Sequence, residues 1–186
     1  ITGGLAQATG LNTISQTLTN TTTTPATIEY TVTPTSGACT GTPFTINITV
    51  NPTPTTLGLN NQTYCNGINT SEIVFNNAVA GTTYSWTNSN TAIGLPASGT
   101  GNIPVFTPTN NGTAPIIATI SVIATANGCS REAETFTITV NPSPAVNFSP
   151  ANQTICSEDT SAVVTLSSTT PGATFSWTAT QPTGIT

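Results

Sequence analysis

The sequence predicts an all-β chain of tandem immunoglobulin-like antiparallel β-sandwiches, one complete unit flanked by two partial ones. Three observations predict it. Blocks of sequence recur about every 90 residues, the scale of one small sandwich. Apolar and polar residues alternate with period two in the runs that recur. No stretch shows helical periodicity, because Pro, Gly, Thr, Val and Asn interrupt every long window.

The recurring blocks keep their order. Phe44-Thr-Ile-Asn-Ile-Thr-Val-Asn-Pro-Thr-Pro54 returns as Phe136-Thr-Ile-Thr-Val-Asn-Pro-Ser-Pro144. Asn61-Gln-Thr-Tyr-Cys65 returns as Asn152-Gln-Thr-Ile-Cys156, and Tyr84-Ser-Trp-Thr87 as Phe175-Ser-Trp-Thr178. Trp86 and Trp177 are 91 positions apart, Cys39 and Cys129 are 90. Residues 1–50 align with the second half of a unit, 55–140 form a whole one, and 145–186 align with a first half. The chain therefore reads as a stretch of a longer polymer. The segments 51–54 and 141–144 are Pro linkers. Pro52, Pro54, Pro142 and Pro144 hold the backbone extended and remove ladder donors, which makes short, semi-stiff joints.

Within a unit, Phe44–Val50 and Phe136–Val140 read as half-buried terminal strands. Thr27–Thr33 and Ile117–Thr125 are their hairpin partners, each followed by a turn containing Gly and Cys. Ile73 and Phe75 correspond to Val164 and Leu166, so both face inward; Val74 corresponds to Thr165 and faces out. Tyr84, Trp86, Phe175 and Trp177 alternate with Ser and Thr. They are assigned to the core as the aromatic face of a central strand, in preference to a sugar-stacking platform.

Of 186 residues, 4% are charged, against about 25% in an ordinary soluble domain. About a quarter are Thr. The net charge is −5, with Arg131 the only cationic side chain. Such a surface does not grip phosphate, which excludes nucleic acid and anionic membrane surfaces as partners. No segment is long and apolar enough for membrane insertion.

The same composition argues against catalysis. There is no His and no Lys, so no Ser, Thr or Cys has a base to activate it. Glu158 and Asp159 are adjacent and would diverge on a strand; Glu132 and Glu134 share a strand face and would meet Arg131 or solvent. No catalytic residue, cofactor or metal site is assigned. The four Cys lack C-x-x-C spacing, which disfavours zinc, and Glu72, Glu158 and Asp159 are too dispersed for calcium.

The cysteines read better as disulfide partners. Each unit has one early (Cys65, Cys156) and one late (Cys39, Cys129). The favoured pairing is Cys65 with Cys129 inside the whole unit, leaving Cys39 and Cys156 unpaired in this stretch. In a strict immunoglobulin topology the two positions lie near opposite poles, so a link between neighbouring units and free thiols stay open as alternatives. A disulfide would imply an oxidising, extracellular compartment.

These blocks resemble the PKD-like, immunoglobulin-type repeats of very large Bacteroidota cell-surface proteins, and most closely those of SprB-type gliding adhesins. The resemblance implies type IX secretion, a long filament on the bacterial surface, and partners in the gliding machinery and in external polysaccharide or substratum. Neighbouring repeats of the same chain are the remaining partners. It transfers no functional site, and the Trp-Asp-Phe-Gly-Asp-Gly signature of typical PKD domains is absent after Trp86, where Thr87-Asn-Ser-Asn90 stands. With no Lys, Lys–Asn isopeptide crosslinking is closed to this chain. The expected function is structural: a repeat segment that transmits traction between a surface anchor and an adhesive tip. The alternative is an accessory carbohydrate-binding module array of an exported hydrolase. An ice- or mineral-binding Thr surface would need a much shorter period.

Overall fold

The computed structural model describes residues 1–7, 12–181 and 183. Among these residues twelve strands are distributed over four sheets, with one 3₁₀ turn at Thr91–Ile93. The N-terminal part contains β1 (Ala26–Val32), β2 (Thr35–Ser36), β3 (Cys39–Thr40) and β4 (Phe44–Val50). The central part contains β5 (Gln62–Cys65), β6 (Thr83–Asn88), β7 (Ser98–Thr100), β8 (Ile116–Ala126), β9 (Cys129–Ser130) and β10 (Glu134–Asn141). The C-terminal part contains β11 (Asn147–Ser149) and β12 (Thr165–Ser167).

The central strands form one sheet in the order β5-β10-β8-β6-β7, with β9 folded back on β8. Its opposing layer is thin. Ile73 and Ile103 exchange both backbone hydrogen bonds, and Thr70 N–H donates to the Phe106 carbonyl. Side chains finish this layer: the Thr70 hydroxyl oxygen accepts from Phe106 N–H, and Asn102 Oδ1 from Phe75 N–H. Between the layers lies an immunoglobulin-like core of Phe75, Trp86, Ile93, Leu95, Ile103, Ile120, Val122, Phe136, Ile138 and Val140. Ile120, Val122, Ile138 and Val140 have no exposure, and each such side chain contributes about 1.5–3 kcal/mol by leaving water. Phe75 is buried and Ile73 half-buried, while Val74 is 53% exposed.

The sheet is mixed, not purely antiparallel. β10 pairs antiparallel with β8 (Phe136 opposite Ile120, Val140 opposite Ile116) and parallel with β5 (Ile138 opposite Gln62, Asn141 opposite Cys65). Strands at the two ends of a unit's sequence can lie side by side and parallel, because the whole intervening chain serves as the crossover. Alternation within one strand reveals its faces but not the direction of its neighbour.

The terminal parts differ from the expected half-buried pattern. β1 and β4 pair in the same register as β8 and β10 (Tyr30 opposite Ile46, Ala26 opposite Val50). Yet Ile46 and Ile48 are each 38% exposed, where their equivalents Phe136 and Ile138 are 3% and 0%. The physical reason is an incomplete second layer: Gly4 and Gln16 reach Ile28 and Tyr30, but among the described residues nothing equivalent to residues 55–90 lies over this hairpin. At the other end, residues 173–181 join no ladder, and Phe175 and Trp177 are 36% and 81% exposed. Their expected place in a core is not met here, because among the described residues nothing corresponds to β7 and β8, the strands that flank Trp86.

Candidate functional site at the joint between repeats

No cluster of reactive groups emerges from the fold. Among the described residues no three His, Cys, Asp or Glu come together as metal ligands, and no helix is long and apolar enough to cross a membrane. What recurs in space is the polar stitching at the two ends of a unit, around the proline segments.

At the first joint Pro52 and Pro54 are fully buried. Proline has no N–H to satisfy, so burying it costs no donor. Asn51 Nδ2 donates to the Asn127 carbonyl in the β8–β9 turn (2.9 Å). Arg131, the only cationic side chain, donates from Nε to Glu134 Oε1 (2.8 Å) and from Nη1 to the Pro54 carbonyl (3.4 Å). Glu134 also accepts the Leu57 N–H. Asn77 closes the set, donating to the Thr55 carbonyl (2.7 Å) and accepting Thr55 N–H. The prolines are thus docked against the following unit's hairpin.

At the second joint the turn after β5 does the equivalent work from the other pole. Asn66 N–H donates to the Asn141 carbonyl (2.9 Å), and its side chain meets the Ser143 hydroxyl at 3.4 Å. Asn66 Oδ1 accepts Asn110 N–H (2.9 Å). Pro142 is buried and Pro144 exposed.

A latch missed by sequence reading ties each loop to each terminal strand. Asn110, 4% exposed, donates from Nδ2 to the carbonyls of Ala114 (2.9 Å) and Val140 (2.7 Å) and accepts Gly112 N–H (2.9 Å). Ninety positions earlier, Asn20 repeats the pattern: Nδ2 to the Thr24 and Val50 carbonyls, with Oδ1 accepting Thr22 N–H. The available signal was an Asn five residues before Pro25 and Pro115 alike. The recurrent Asn-Gln-Thr block also gains a reason: Asn61 Oδ1 accepts Thr137 N–H (2.8 Å), extending the β5–β10 ladder by one rung.

Trp86 is 4% exposed and lies against Gly99, where an added Cβ would fall 2.2 Å from its ring. Tyr84 packs on Phe75 (centroids 5.5 Å apart), and burial raises its phenol pKa above the usual 10.0.

The cysteines require a correction. All four are free, and Cys65 and Cys129 cannot meet. Cys65 lies opposite Asn141 at one pole; Cys129 lies opposite Ala126 at the other. Ten residues of β8 separate those levels, about 33 Å at strand rise, against the roughly 7 Å a bridge tolerates between Cα atoms.

The comparison with family models matches the first part of the chain. Residues 1–54 match the model of a PKD-like domain. The match ends at Pro54, and the aligned register of β1–β4 and β8–β10 carries the PKD-like pattern into the central repeat. A PKD-like domain is a structural repeat, typically of extracellular proteins. No curated protein matches the chain.

Proposed function

We propose that this chain is a run of PKD-like repeats from a long adhesin filament on a bacterial surface, of the SprB gliding type, and that it carries traction and performs no catalysis. The observation that supports this most directly is the parallel pairing of β5 with β10. The chain enters the central repeat through β5 and leaves through β10, and the two lie side by side pointing the same way. Tension therefore pulls them in opposite directions along their shared ladder, and every rung is loaded together. A hairpin pulled at its open end would yield one rung at a time. On this reading the partners are the neighbouring repeats, a gliding and secretion apparatus at the anchored end, and polysaccharide or substratum at the tip.

Force spectroscopy of the full chain tests it. Thr63→Pro and Tyr64→Pro should be compared, since neighbouring N–H groups on β5 point to opposite sides and only one faces β10. One variant should lower the unfolding force several-fold and the other leave it near the parent value. Equal behaviour of both would defeat the shear reading.

A further inference from the structure

We propose that successive repeats are joined by disulfides across each joint, from the early cysteine of one repeat to the late cysteine of the next. This rests on the tandem-repeat reading above. Cys65 and Cys129 occupy opposite poles of one repeat, so each faces a joint: Cys65 the joint at 141–144, Cys129 the joint at 51–54.

Two independent observations converge on the first joint. The first is register. β4 pairs with β1 as β10 pairs with β8, which makes Val50 and Asn51 the equivalents of Val140 and Asn141. Cys65 lies opposite Asn141, so the early cysteine of the repeat that contains β4 belongs opposite Asn51. The second is contact. Asn51 donates to the carbonyl of Asn127, two residues before Cys129. Cys129 also lines a groove with Ile48, Val50 and Asn51 on one side and Gln16 and Leu18 on the other. In the central repeat the corresponding walls, β10 and the 106–108 segment, hold β5 between them: Tyr64 packs on Phe106, and Gly67 N–H donates to the Pro108 carbonyl. The groove is therefore the track of the preceding repeat's first strand, and Cys129 stands where that strand ends.

Formation is ordinary thiol–disulfide exchange. Two Cys–SH groups lose two protons and two electrons, the S–S bond forms, and an exported dithiol oxidase in its disulfide form is reduced to the dithiol. Each bridge then overlaps the next. Along the shortest covalent path only Cys129 to Cys156 stays extensible, 27 residues (156 − 129) in every two repeats of 91. Bridges within repeats would leave 27 residues in every single repeat.

The test uses the native full-length protein, isolated with thiols blocked and without reductant. Peptide mapping should link the Cys65 peptide to one beyond residue 186, and the Cys129 peptide to one before residue 1. Stretching the same molecule to full extension, then adding reductant, should lengthen it about sevenfold (182/27) at the usual residue span. A gain of about 3.4-fold (91/27), or a Cys65–Cys129 peptide, overturns the inference in favour of bridges within repeats. Blocked thiols at all four positions and no gain overturn it outright. If the flanking protein sequence holds no further repeats, the filament reading falls together with it; if repeats are present and unlinked, only the inference falls.

Discussion

Asn110→Ala should destabilise the central repeat by about 3 kcal/mol, and the structure says where that loss arises. The substitution strands two carbonyls and one N–H. Gly112 and Ala114 are exposed and recover water, so each bond lost there costs about 0.5–1 kcal/mol. Val140 is fully buried, and its carbonyl left unpaired adds about 1–3 kcal/mol. The sum shifts the folding equilibrium more than a hundredfold, since about 1.4 kcal/mol is a factor of ten. Asn20→Ala removes the same three bonds and a fourth from the Thr22 hydroxyl, but Thr22 and Thr24 are exposed and Val50 is only half-buried, so about 2 kcal/mol is expected there. Urea unfolding followed by Trp86 emission, in a Trp177→Phe background, reads the first variant. Hydrogen exchange at residues 47–51 and 137–141 compares the two. An Asn110→Ala loss under 0.5 kcal/mol, or equal losses at both sites, would refute the burial argument.

Gly99→Ala should cost about 1–3 kcal/mol by overpacking against the Trp86 ring and should shift its emission, as fluorescence-detected denaturation will show. Arg131→Ala should speed amide exchange at Leu57, whose N–H partner Glu134 loses its guanidinium clamp, while exchange within β8 stays unchanged. Alkaline titration should find Tyr84 ionising above the usual phenol value of 10.0. Because its folded pKa is raised above 10.0, the stability it contributes is fully present below pH 10 and is lost as pH climbs through the folded value. Tyr84→Phe should remove that part of the alkaline loss, measured by unfolding at pH 9 and pH 11.

Much of the strand layout was legible because period-two alternation and internal repetition check each other. Ile138 and Val140 alternate with Thr, and Ile46, Ile48 and Val50 with Asn and Thr, so both terminal strands stand out. Their burial was not legible, because burial belongs to the opposing layer and not to the strand. Ile48 and Ile138 share a residue type and differ only in what lies over them. The parallel β5 was hidden for a related reason: strand direction is set by chain routing between distant segments. The joint was readable in its prolines and unreadable in its stitches. Asn51, Asn66, Asn110 and Asn127 are four asparagines in a chain rich in them, and only the fold shows which side chains reach a backbone carbonyl. The Cys65–Cys129 pairing failed because it followed chain order within one unit; the opposite poles that a strict immunoglobulin topology gives the two positions are the ones the fold shows.

The contacts at the first joint fix direction as well as proximity. Asn51 on Asn127, Arg131 on the Pro54 carbonyl and the buried rings of Pro52 and Pro54 tie the joint to the following repeat at several points, which restricts the angle between repeats. Applying one rotation again and again generates a helix. A long array of these repeats should therefore coil with a constant pitch, storing tension as elastic twist before any strand parts, and averaged micrographs of isolated filaments should show that pitch as a layer line.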